Sequence, residues 1–429
     1  MKEKLAILGG ISVRGKPFAS YNYIGKEESR AAAKVIKSGV LSKFLGCWTE
    51  DFFGGPKIKE LEENWASYTG AKYAVSVNSC TSGIYAACGA IGIGPGDEVI
   101  VSPYTMSASA SCVLVYNAIP IFADIDEDNF CLSAERIEKV ITPRTKAIVV
   151  VHIMGQPADM DGIMKLALKH KLKVIEDCAQ APGSEYKNNK LGTIGDIGVF
   201  SLNYHKHIHT GEGGVAVTND AELDKRLRLI RNHGEAVVED MGEDNLINML
   251  GFNYRMTEIE AAIGIEQLKK LDWLVEKRIR LANYLTRELS NIDGIIPPKV
   301  HAAAKHVYYI YPIKFREDIV GISRDTFTKA VEAEGIPLYQ GYVKPLYLQP
   351  IYQKQDLYGE KGCPFKCQYY GKRISYKKGL CPVTERMHYK ELLYTNLCYP
   401  PLTYRDMNDI VQAIKKVVTN RDSLKTTDK

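Results

Sequence analysis

The sequence lacks the features that mark several other classes of protein. No GxGxxG joins the first predicted strand to its helix, which excludes a dinucleotide-binding fold. The longest apolar stretch, around AIVVVHIM, is far shorter than the roughly 20 residues that span a bilayer. The N-terminus, MKEKLAILGGISVRG, has neither the long apolar region nor the cleavage site of a signal peptide. We therefore expect a soluble, cytoplasmic protein with no membrane partner.

Neither charge nor cysteine spacing indicates a nucleic-acid or metal partner. The net charge is +5, and no long run of like charge occurs outside the C-terminal tail. A mild excess of lysine and arginine suits an anionic small substrate equally well. Ten cysteines are present, but the group formed by Cys363, Cys367, Cys381 and Cys398 lacks the paired CxxC spacing of a zinc site. The sequence predicts free thiols, no metal and no nucleic acid.

Strand and helix patterns alternate regularly from Tyr73 onward. Repeated βα units of this length predict an α/β fold with a mostly parallel sheet covered by helices on both faces. A chain of 429 residues is long enough for two domains. We predict a large domain over residues 1–270, whose N-terminal arm, 1–25, packs on the small domain. The smaller α+β domain spans residues 271–429 and carries a surface insertion near 353–378.

A single long helix is predicted where the two domains meet. The segment TEIEAAIGIEQLKKLDWLVEKRIRLANYLTREL keeps helical periodicity throughout. It opens with a capping box, formed by Thr257 and Glu260. We expect this helix to bridge the domains.

One lysine stands on a short loop between two apolar strand patterns. The loop is SLNYHKHIHTGEGG, Ser201 to Gly214, and the lysine is Lys206. DIGVFSL precedes it and GGVAVT follows it, with a glycine cluster marking the return. A lysine anchored in this way can be desolvated and used as an amine nucleophile, whereas a solvated basic loop would leave it inert.

A carboxylate follows an apolar strand shortly before this lysine. The run KVIED ends in Glu176 and Asp177, and acids at the carboxyl end of a strand face the crevice where open α/β sheets bind ligands. An acid and a lysine are the two protein groups that pyridoxal phosphate (PLP) needs. The acid keeps the pyridine nitrogen protonated, and the lysine amine binds the aldehyde.

Two further strand ends carry candidate binding residues. In NSCTSG, Cys80, Thr81 and Ser82 lie at a helix N-terminus, where free N–H groups and the helix dipole favour an anion. Ordinary capping by a hydroxyl is the alternative. In SPYTMSAS, Tyr104 follows another strand and could stack on a flat ring, although a core position is the alternative for one of 26 tyrosines.

Several motifs occur in order along residues 9–290: GGISVRGKPF, GIGPGDEVIVSPYT, GSEYKNNKLGTIGD and GFNYRMTEIEAAIGIEQL. Together with Asp177, Gln180, Ser201 and Lys206 they resemble the motif set of the DegT/DnrJ/EryC1/StrS family of PLP-dependent sugar aminotransferases. The resemblance implies a fold-type I PLP-dependent transferase of the aspartate aminotransferase architecture.

The resemblance also implies a role for each candidate residue. Lys206 would hold PLP covalently and carry protons, and Asp177 would contact the pyridine nitrogen. The other implied cofactor contacts are a phosphate cradle from Cys80, Thr81, Ser82 and Ser201, ring stacking by Tyr104, and a hydrogen bond from Gln180 to the phenolic oxygen. The family forms homodimers with shared active sites, in which the residue matching Asn253 reaches the neighbouring subunit's phosphate.

The implied reaction is transfer of an amino group from glutamate, which becomes 2-oxoglutarate, to a keto group on a nucleotide-linked sugar or a cyclitol such as an inosose. Such amination serves amino-sugar, polysaccharide or aminoglycoside-type biosynthesis. One alternative is a PLP-dependent sugar dehydratase, but those relatives have histidine in place of the lysine. Here Lys206 is retained, although His205 and His207 flank it. A non-catalytic PLP-fold binding protein is the other alternative.

Overall fold

Strands and helices alternate through the first half of the chain in the computed structural model, which describes residues 3–425. These elements are α1 (Lys26–Ser38), α2 (Pro56–Thr69), β1 (Tyr73–Val77), α3 (Cys80–Ala90), β2 (Glu98–Val101), α4 (Ala108–Val115), β3 (Ile119–Phe122), α5 (Ala134–Glu138), β4 (Thr145–Val151), α6 (Met160–His170), β5 (Lys173–Asp177), β6 (Glu185–Tyr186), β7 (Asn189–Lys190), β8 (Ile197–Ser201), β9 (Gly214–Thr218) and α7 (Ala221–Arg231).

Seven of these strands form one large sheet in the order β1-β9-β8-β5-β4-β2-β3. All neighbours from β8 to β3 are parallel, while β9 runs antiparallel to both β1 and β8. Successive side chains point to opposite faces, so that Val149 packs in one core and Val150 in the other. The predicted mostly parallel sheet with two covered faces is confirmed.

The second half of the chain builds a smaller sheet and its helices. Its elements are α8 (Glu258–Leu268), α9 (Leu271–Leu289), β10 (Ile295–Ile296), β11 (Ala304–Lys305), β12 (Tyr311–Phe315), α10 (Glu317–Val320), α11 (Arg324–Ala333), β13 (Tyr339–Gln340), α12 (Pro350–Lys354), α13 (Pro382–Arg386), β14 (Leu392–Thr395) and α14 (Tyr404–Thr419). Strands β10, β12, β14 and β13 form an antiparallel sheet in that order. Strand β11 instead pairs with β6 of the first half.

The start of the described chain lies against this second half. Leu5 is buried in the core that α9, α11 and α14 share. Both oxygens of the Glu334 carboxylate accept backbone N–H groups from the arm, at 2.8 Å from Ala6 and 3.0 Å from Val13. Arg14 pairs with Asp409 of α14 at 2.7 Å. The division between large and small domains at residue 270 stays a prediction.

The predicted single long helix is wrong, because the chain forms two helices, α8 and α9, with a break at Lys269 and Lys270. The capping box at Thr257 is present. No glycine or proline marks the break. Lys270 is held there by the Glu28 carboxylate at 2.6 Å and the Tyr23 carbonyl at 3.1 Å, contacts that no local pattern encodes. Within residues 3–425, no helix has the length and apolar character needed to cross a bilayer.

Segment 353–378 differs from a free surface insertion. Its lysines and the side chains of Tyr358 and Tyr369 are exposed, whereas Phe365, Tyr370 and Tyr376 are buried beside the edge of the large sheet. The Tyr376 hydroxyl donates to the Pro120 carbonyl at 2.8 Å, and the Tyr370 hydroxyl donates to Glu98 at 2.9 Å. The ring of Phe122 contacts the ring of Tyr376, with centroids 5.4 Å apart. The segment therefore protects an unpaired sheet edge.

Glu176, one residue before the end of β5, ties a loop to the sheet. Its side chain is fully buried and accepts backbone N–H groups from Gly192, Ile194 and Gly195 at 2.6–2.9 Å, and it lies 3.0 Å from the His152 ring. Burial alone would raise the pKa of Glu176. The His152 ring and the backbone donors outweigh burial, so its pKa lies below the usual range. The sequence had suggested that both acids face the crevice. The Glu176 side chain instead has a structural role and does not face it.

We expect Glu176→Gln to lower the free energy of unfolding by about 3 kcal/mol at pH 7, because an amide cannot accept all of these N–H groups. A carboxyl with a depressed pKa stabilises the fold above its unfolded pKa and loses this effect as the pH falls through the folded value. The difference between variant and wild type should therefore narrow below about pH 4.5. Urea denaturation of both proteins at several pH values measures this difference in the free energy of unfolding. Glu138→Gln, at an exposed ion pair with Lys169, is the control and should change little.

Candidate active site

A cavity of about 180 Å³ opens at the carboxyl ends of β4, β5 and β8. This is the edge where a parallel sheet presents side chains to a ligand. The side chains and backbone that line it are Ser79, Cys80, Thr81, Ile84, Thr105, Met106, Ala108, Ser109, Val151, Asp177, Ala179, Gln180, Ser201, Asn203, His205, Lys206 and Glu212. Of the predicted site residues, Cys80, Thr81, Asp177, Gln180, Ser201 and Lys206 are together here.

Asp177 is the last residue of β5, and its carboxylate lies in the wall of the cavity. The Ser109 hydroxyl donates to Oδ2 at 2.7 Å, and the Ala179 backbone N–H donates to Oδ1 at 3.1 Å. These two donors fix the carboxylate and leave further acceptor capacity on its oxygens. Sequence analysis missed Ser109, because a serine in the first turn of a helix gives no signal beyond ordinary helix formation.

Lys206 lies opposite, on the loop between β8 and β9, with only 8% of its surface exposed. Burial lowers its pKa, and this effect is opposed in part by the negative charge of Asp177 and by Cys80. Its Nζ lies 4.7 Å from the centroid of the Tyr309 ring. A lowered pKa raises the fraction of neutral amine, which is the nucleophilic form.

The N-terminus of α3 supplies an anion-binding position. Ser79 is the N-cap, and its hydroxyl accepts the Ser82 N–H at 3.1 Å. The Ser82 hydroxyl donates to the Asn78 side chain at 2.6 Å, so in this arrangement its hydrogen is not directed to a phosphate, and the contact of Ser82 with the cofactor stays a prediction. Cys80 and Thr81 are the first two residues of α3, so their backbone N–H groups have no acceptor within the helix.

Gly214 keeps this anion position open. A Cβ at residue 214 would lie 2.6 Å from the Cys80 nitrogen and 2.7 Å from the Ser79 carbonyl carbon. Any other residue there would therefore cover the N–H of Cys80. Ser201, paired with Gly214 across β8 and β9, adds a hydroxyl to the same side of the cavity.

Gln180 and Asn203 supply amide groups to the cavity. The Gln180 Oε1 accepts the Met154 N–H at 2.6 Å, and its Nε2 donates to the Tyr342 hydroxyl at 2.7 Å. The Asn203 side chain donates to Glu212 at 2.8 Å, while its Oδ1 is buried without a hydrogen-bond partner among the described residues. An orphaned acceptor at a cavity wall indicates a ligand position.

Tyr104 does not lie in the cavity, which corrects the prediction of ring stacking. Its side chain is 0% exposed, and its ring packs edge-on against Tyr342 and His388. Met106, two residues further on, lines the cavity and is 56% exposed. The strand end was identified correctly, but the aromatic residue points into the core and the thioether faces the ligand space.

The remaining candidates lie outside the cavity. Asn253 is exposed, and its side chain accepts a hydrogen bond from Arg255 at 2.8 Å. Its predicted contact with a second subunit stays a prediction. His207 is fully buried and donates through Nε2 to the Val307 carbonyl at 3.0 Å. Burial holds the pKa of His207 well below its usual value, so this ring is neutral.

The residues present fit PLP. A buried amine, a fixed carboxylate and a helix N-terminus kept clear by Gly214 surround one cavity, which matches an aldehyde, a pyridine nitrogen and a phosphate on one small molecule. The large sheet, with β9 antiparallel among parallel neighbours, carries all three groups at its strand ends. Fold and site together define a PLP-dependent transferase of the aspartate aminotransferase architecture.

Comparison with known proteins identifies the family. The sequence model of the DegT/DnrJ/EryC1/StrS aminotransferase family matches residues 24–377, and the chain belongs to this family of PLP-dependent enzymes. GDP-perosamine synthase of Caulobacter vibrioides is 39% identical over 302 residues, which cover 70% of this chain and 79% of that protein. L-glutamine:2-deoxy-scyllo-inosose aminotransferase of Streptoalloteichus tenebrarius is 32% identical over 441 residues, covering 99% and 100%. The X-ray structure of an aminotransferase from Psychrobacter cryohalolentis superposes with a TM-score of 0.79 at 32% identity, covering 94% of this chain and 99% of that one.

We expect Asp177→Asn to bind PLP weakly and to slow amino transfer by about a hundredfold or more, because a neutral amide cannot keep a pyridine nitrogen protonated. Ser109→Ala retains the charge of Asp177 but removes the 2.7 Å hydrogen bond to it. The rate of amino transfer should therefore fall less, by about tenfold. Cofactor titration and steady-state kinetics measure both. Asp177→Asn with near wild-type turnover would exclude this role.

Proposed function

We propose that this protein transfers an amino group from glutamate or glutamine to a keto group on a nucleotide-linked sugar or a cyclitol. The observation that carries the proposal is the buried amine of Lys206 in the same cavity as the Asp177 carboxylate and the α3 N-terminus. Two relatives support the substrate class. One is a GDP-perosamine synthase, and the other is an L-glutamine:2-deoxy-scyllo-inosose aminotransferase.

Each cavity residue has a defined task in this proposal. When bound, PLP supplies a ring that accepts the electron pair left on the donor's Cα when its proton is removed. Lys206 would hold the cofactor through its Nζ amine and would move the proton at the donor's Cα. Asp177, fixed by Ser109, holds a proton on the pyridine nitrogen. The N–H groups of Cys80 and Thr81 bind the phosphate.

Amination is favoured over dehydration by what occupies the lysine position. A dehydratase must keep its cofactor free of capture by a lysine amine while a hydroxyl leaves, and here Lys206 faces the cavity. His207 cannot substitute as a proton carrier, since it is fully buried and bonded to Val307. His205 lines the cavity. A dehydration product would therefore assign proton transfer to His205.

The proposal predicts that protein incubated with PLP, glutamate and a suitable keto-sugar nucleotide or inosose yields 2-oxoglutarate and an amino product in equal amounts. Equal amounts follow because each donor nitrogen is passed to one acceptor. Mass spectrometry of the sugar and an enzymatic assay of 2-oxoglutarate measure the two yields. A product that has lost a hydroxyl and gained no nitrogen would contradict amino transfer.

Lys206→Ala is the matched control for this experiment. It should lose the absorbance of lysine-bound cofactor and form neither product, while its far-UV circular dichroism stays that of the wild type, since one loop side chain adds little packing. Borohydride reduction should fix PLP on Lys206 in the wild type. Fixation of PLP on any other lysine would contradict the assignment of Lys206 as the lysine that binds the cofactor.

We further propose that the enzyme is a homodimer in which Asn253 reaches the partner's cofactor phosphate. Three exposed apolar side chains, Leu246, Ile247 and Leu250, lie just before Asn253 in the chain. Met106 is also exposed and lines the cavity mouth. Three exposed apolar side chains within residues 246–250 are typical of an interface.

Analytical ultracentrifugation at assay concentration should show a dimer. Asn253→Ala should weaken PLP binding with the dimer intact, since it removes one donor to the phosphate and little contact area. Asn245→Ala, at an exposed residue of the same loop region, is the control and should bind PLP normally. An active monomer would contradict both the dimer and this role of Asn253.

A further inference from the structure

A second cavity, of about 450 Å³, adjoins the cofactor cavity and is lined mainly by tyrosines, together with Arg278. We refer to it as the tyrosine cleft. His205 lines both spaces. Tyr309, in the wall of the cleft, contacts the Lys206 amine, and Tyr342 bonds to Gln180 of the cofactor cavity. A small molecule in the cleft would therefore lie next to the reactive amine.

Arg278 is the notable charge in this cleft. It lies on α9 with 4% of its surface exposed. Its Nη1 donates to the Tyr308 carbonyl at 3.3 Å, and its guanidinium carbon is 4.7 Å from the Tyr21 ring centroid. Its Nε is buried without a hydrogen-bond partner, and Arg278 forms no ion pair with a carboxylate among residues 3–425. A buried cation without an anion is costly, and a bound anion would remove that cost.

The walls of the cleft do not supply that anion. Burial raises the pKa of Tyr342 to about 12 and raises the pKa of Tyr21, so both phenols stay neutral at working pH. Burial likewise raises the pKa of Tyr309. The cleft thus offers one guanidinium, ring faces and phenol hydroxyls, which can donate to oxygen atoms. This set suits a small molecule with a carboxylate or phosphate.

We propose that Arg278 binds a carboxylate of the amino donor and so places the donor's amino group beside Lys206. This inference rests on the proposed amino transfer. A guanidinium matches the planar fork of a carboxylate. The donor carries a carboxylate whichever acceptor is used, whereas an inosose acceptor has no anionic group. The phosphates of a nucleotide-linked acceptor are the other source of the same chemistry.

The direct test is binding of glutarate, a dicarboxylate without an amino group, to the PLP-loaded enzyme by isothermal titration calorimetry. Arg278→Met should weaken glutarate binding roughly tenfold to a hundredfold, the loss expected for one charged hydrogen-bonded pair. Arg280→Met is the matched control. Arg280 is on the same helix, its side chain is 60% exposed and paired only loosely with Glu276 at 3.5 Å, so glutarate binding should not change.

Kinetics separate the two sources of the anion. With Arg278→Met, the KM of the donor should rise at least tenfold, and the KM of a nucleotide-linked acceptor should stay within about twofold. If the KM rises for both glutamate and glutamine, Arg278 binds the donor's α-carboxylate. If the KM rises for glutamate alone, Arg278 binds its side-chain carboxylate. A raised acceptor KM with an unchanged donor KM would overturn the proposal in favour of the acceptor's phosphates. Unchanged glutarate binding would also overturn it.

Two measurements keep this test independent of folding and of the proposed function. Far-UV circular dichroism and cofactor absorbance should be those of the wild type, and Arg278→Gln, which keeps N–H donors, replaces Arg278→Met if the latter does not fold. Glutarate binding needs no turnover. Absence of amino transfer with every acceptor would defeat the proposed function, whereas amino transfer with an unaltered donor KM in Arg278→Met would defeat only the role of Arg278.

Discussion

The proposed function depends on keeping one lysine amine out of water. A solvated lysine is protonated and unreactive, so the chain must hold Lys206 where burial lowers its pKa without leaving it stranded as a buried cation. The short return between β8 and β9 does this, because both ends of the loop are fixed in the large sheet. Asp177 lies on the neighbouring strand β5, across the cavity from Lys206. Its negative charge limits the free-energy cost of burying the positive charge of the lysine. The sheet order β9-β8-β5 thus brings amine and carboxylate together.

Three buried charges in this protein show how the completeness of their hydrogen bonding relates to their task. The Glu176 carboxylate is saturated by three backbone N–H groups and a histidine, and it holds a loop in place. Its neighbour Asp177 has two donors and retains acceptor capacity toward the cavity. Arg278 has one carbonyl and aromatic faces. A buried charge whose hydrogen-bonding capacity is fully used has a structural role. A buried charge at a cavity with unused hydrogen-bonding capacity indicates a ligand position.

Sequence reasoning was reliable where a single element carried the signal. Strand patterns placed Asp177 and Ser201 at strand ends, and the glycine-rich return placed Lys206 between two strands. It failed where a choice depended on side-chain direction. Tyr104 and Met106 both follow β2, and only packing against Tyr342 and His388 decides which of them enters the core. The Ser82 hydroxyl donates to Asn78, a contact that residue types alone do not reveal.

Long-range contacts account for the other differences. The break between α8 and α9 is held by Glu28 and Tyr23, more than 200 residues away in the chain, so periodicity alone extended the helix across it. Segment 353–378 has the composition of an exposed insertion, yet its aromatic rings find a partner in the edge strand β3. The composition of such a segment is dominated by the residues that face solvent. It therefore does not reveal the few buried side chains that anchor the segment.

The cofactor cavity and the tyrosine cleft share His205 but take most of their other lining residues from different parts of the chain. The cavity is built from residues 79–212, on strands that also carry the core, so its geometry is tied to the stability of the sheet. The cleft combines Tyr21 of the N-terminal arm, Arg278 of α9 and Tyr399 near the C-terminus. These segments meet only in the folded chain and contribute little to the large sheet. Substitutions at Arg278 or Tyr399 can therefore change which donor or acceptor is accepted with less effect on the cofactor cavity than substitutions at Tyr309 or Tyr342. The latter two contact Lys206 and Gln180 directly.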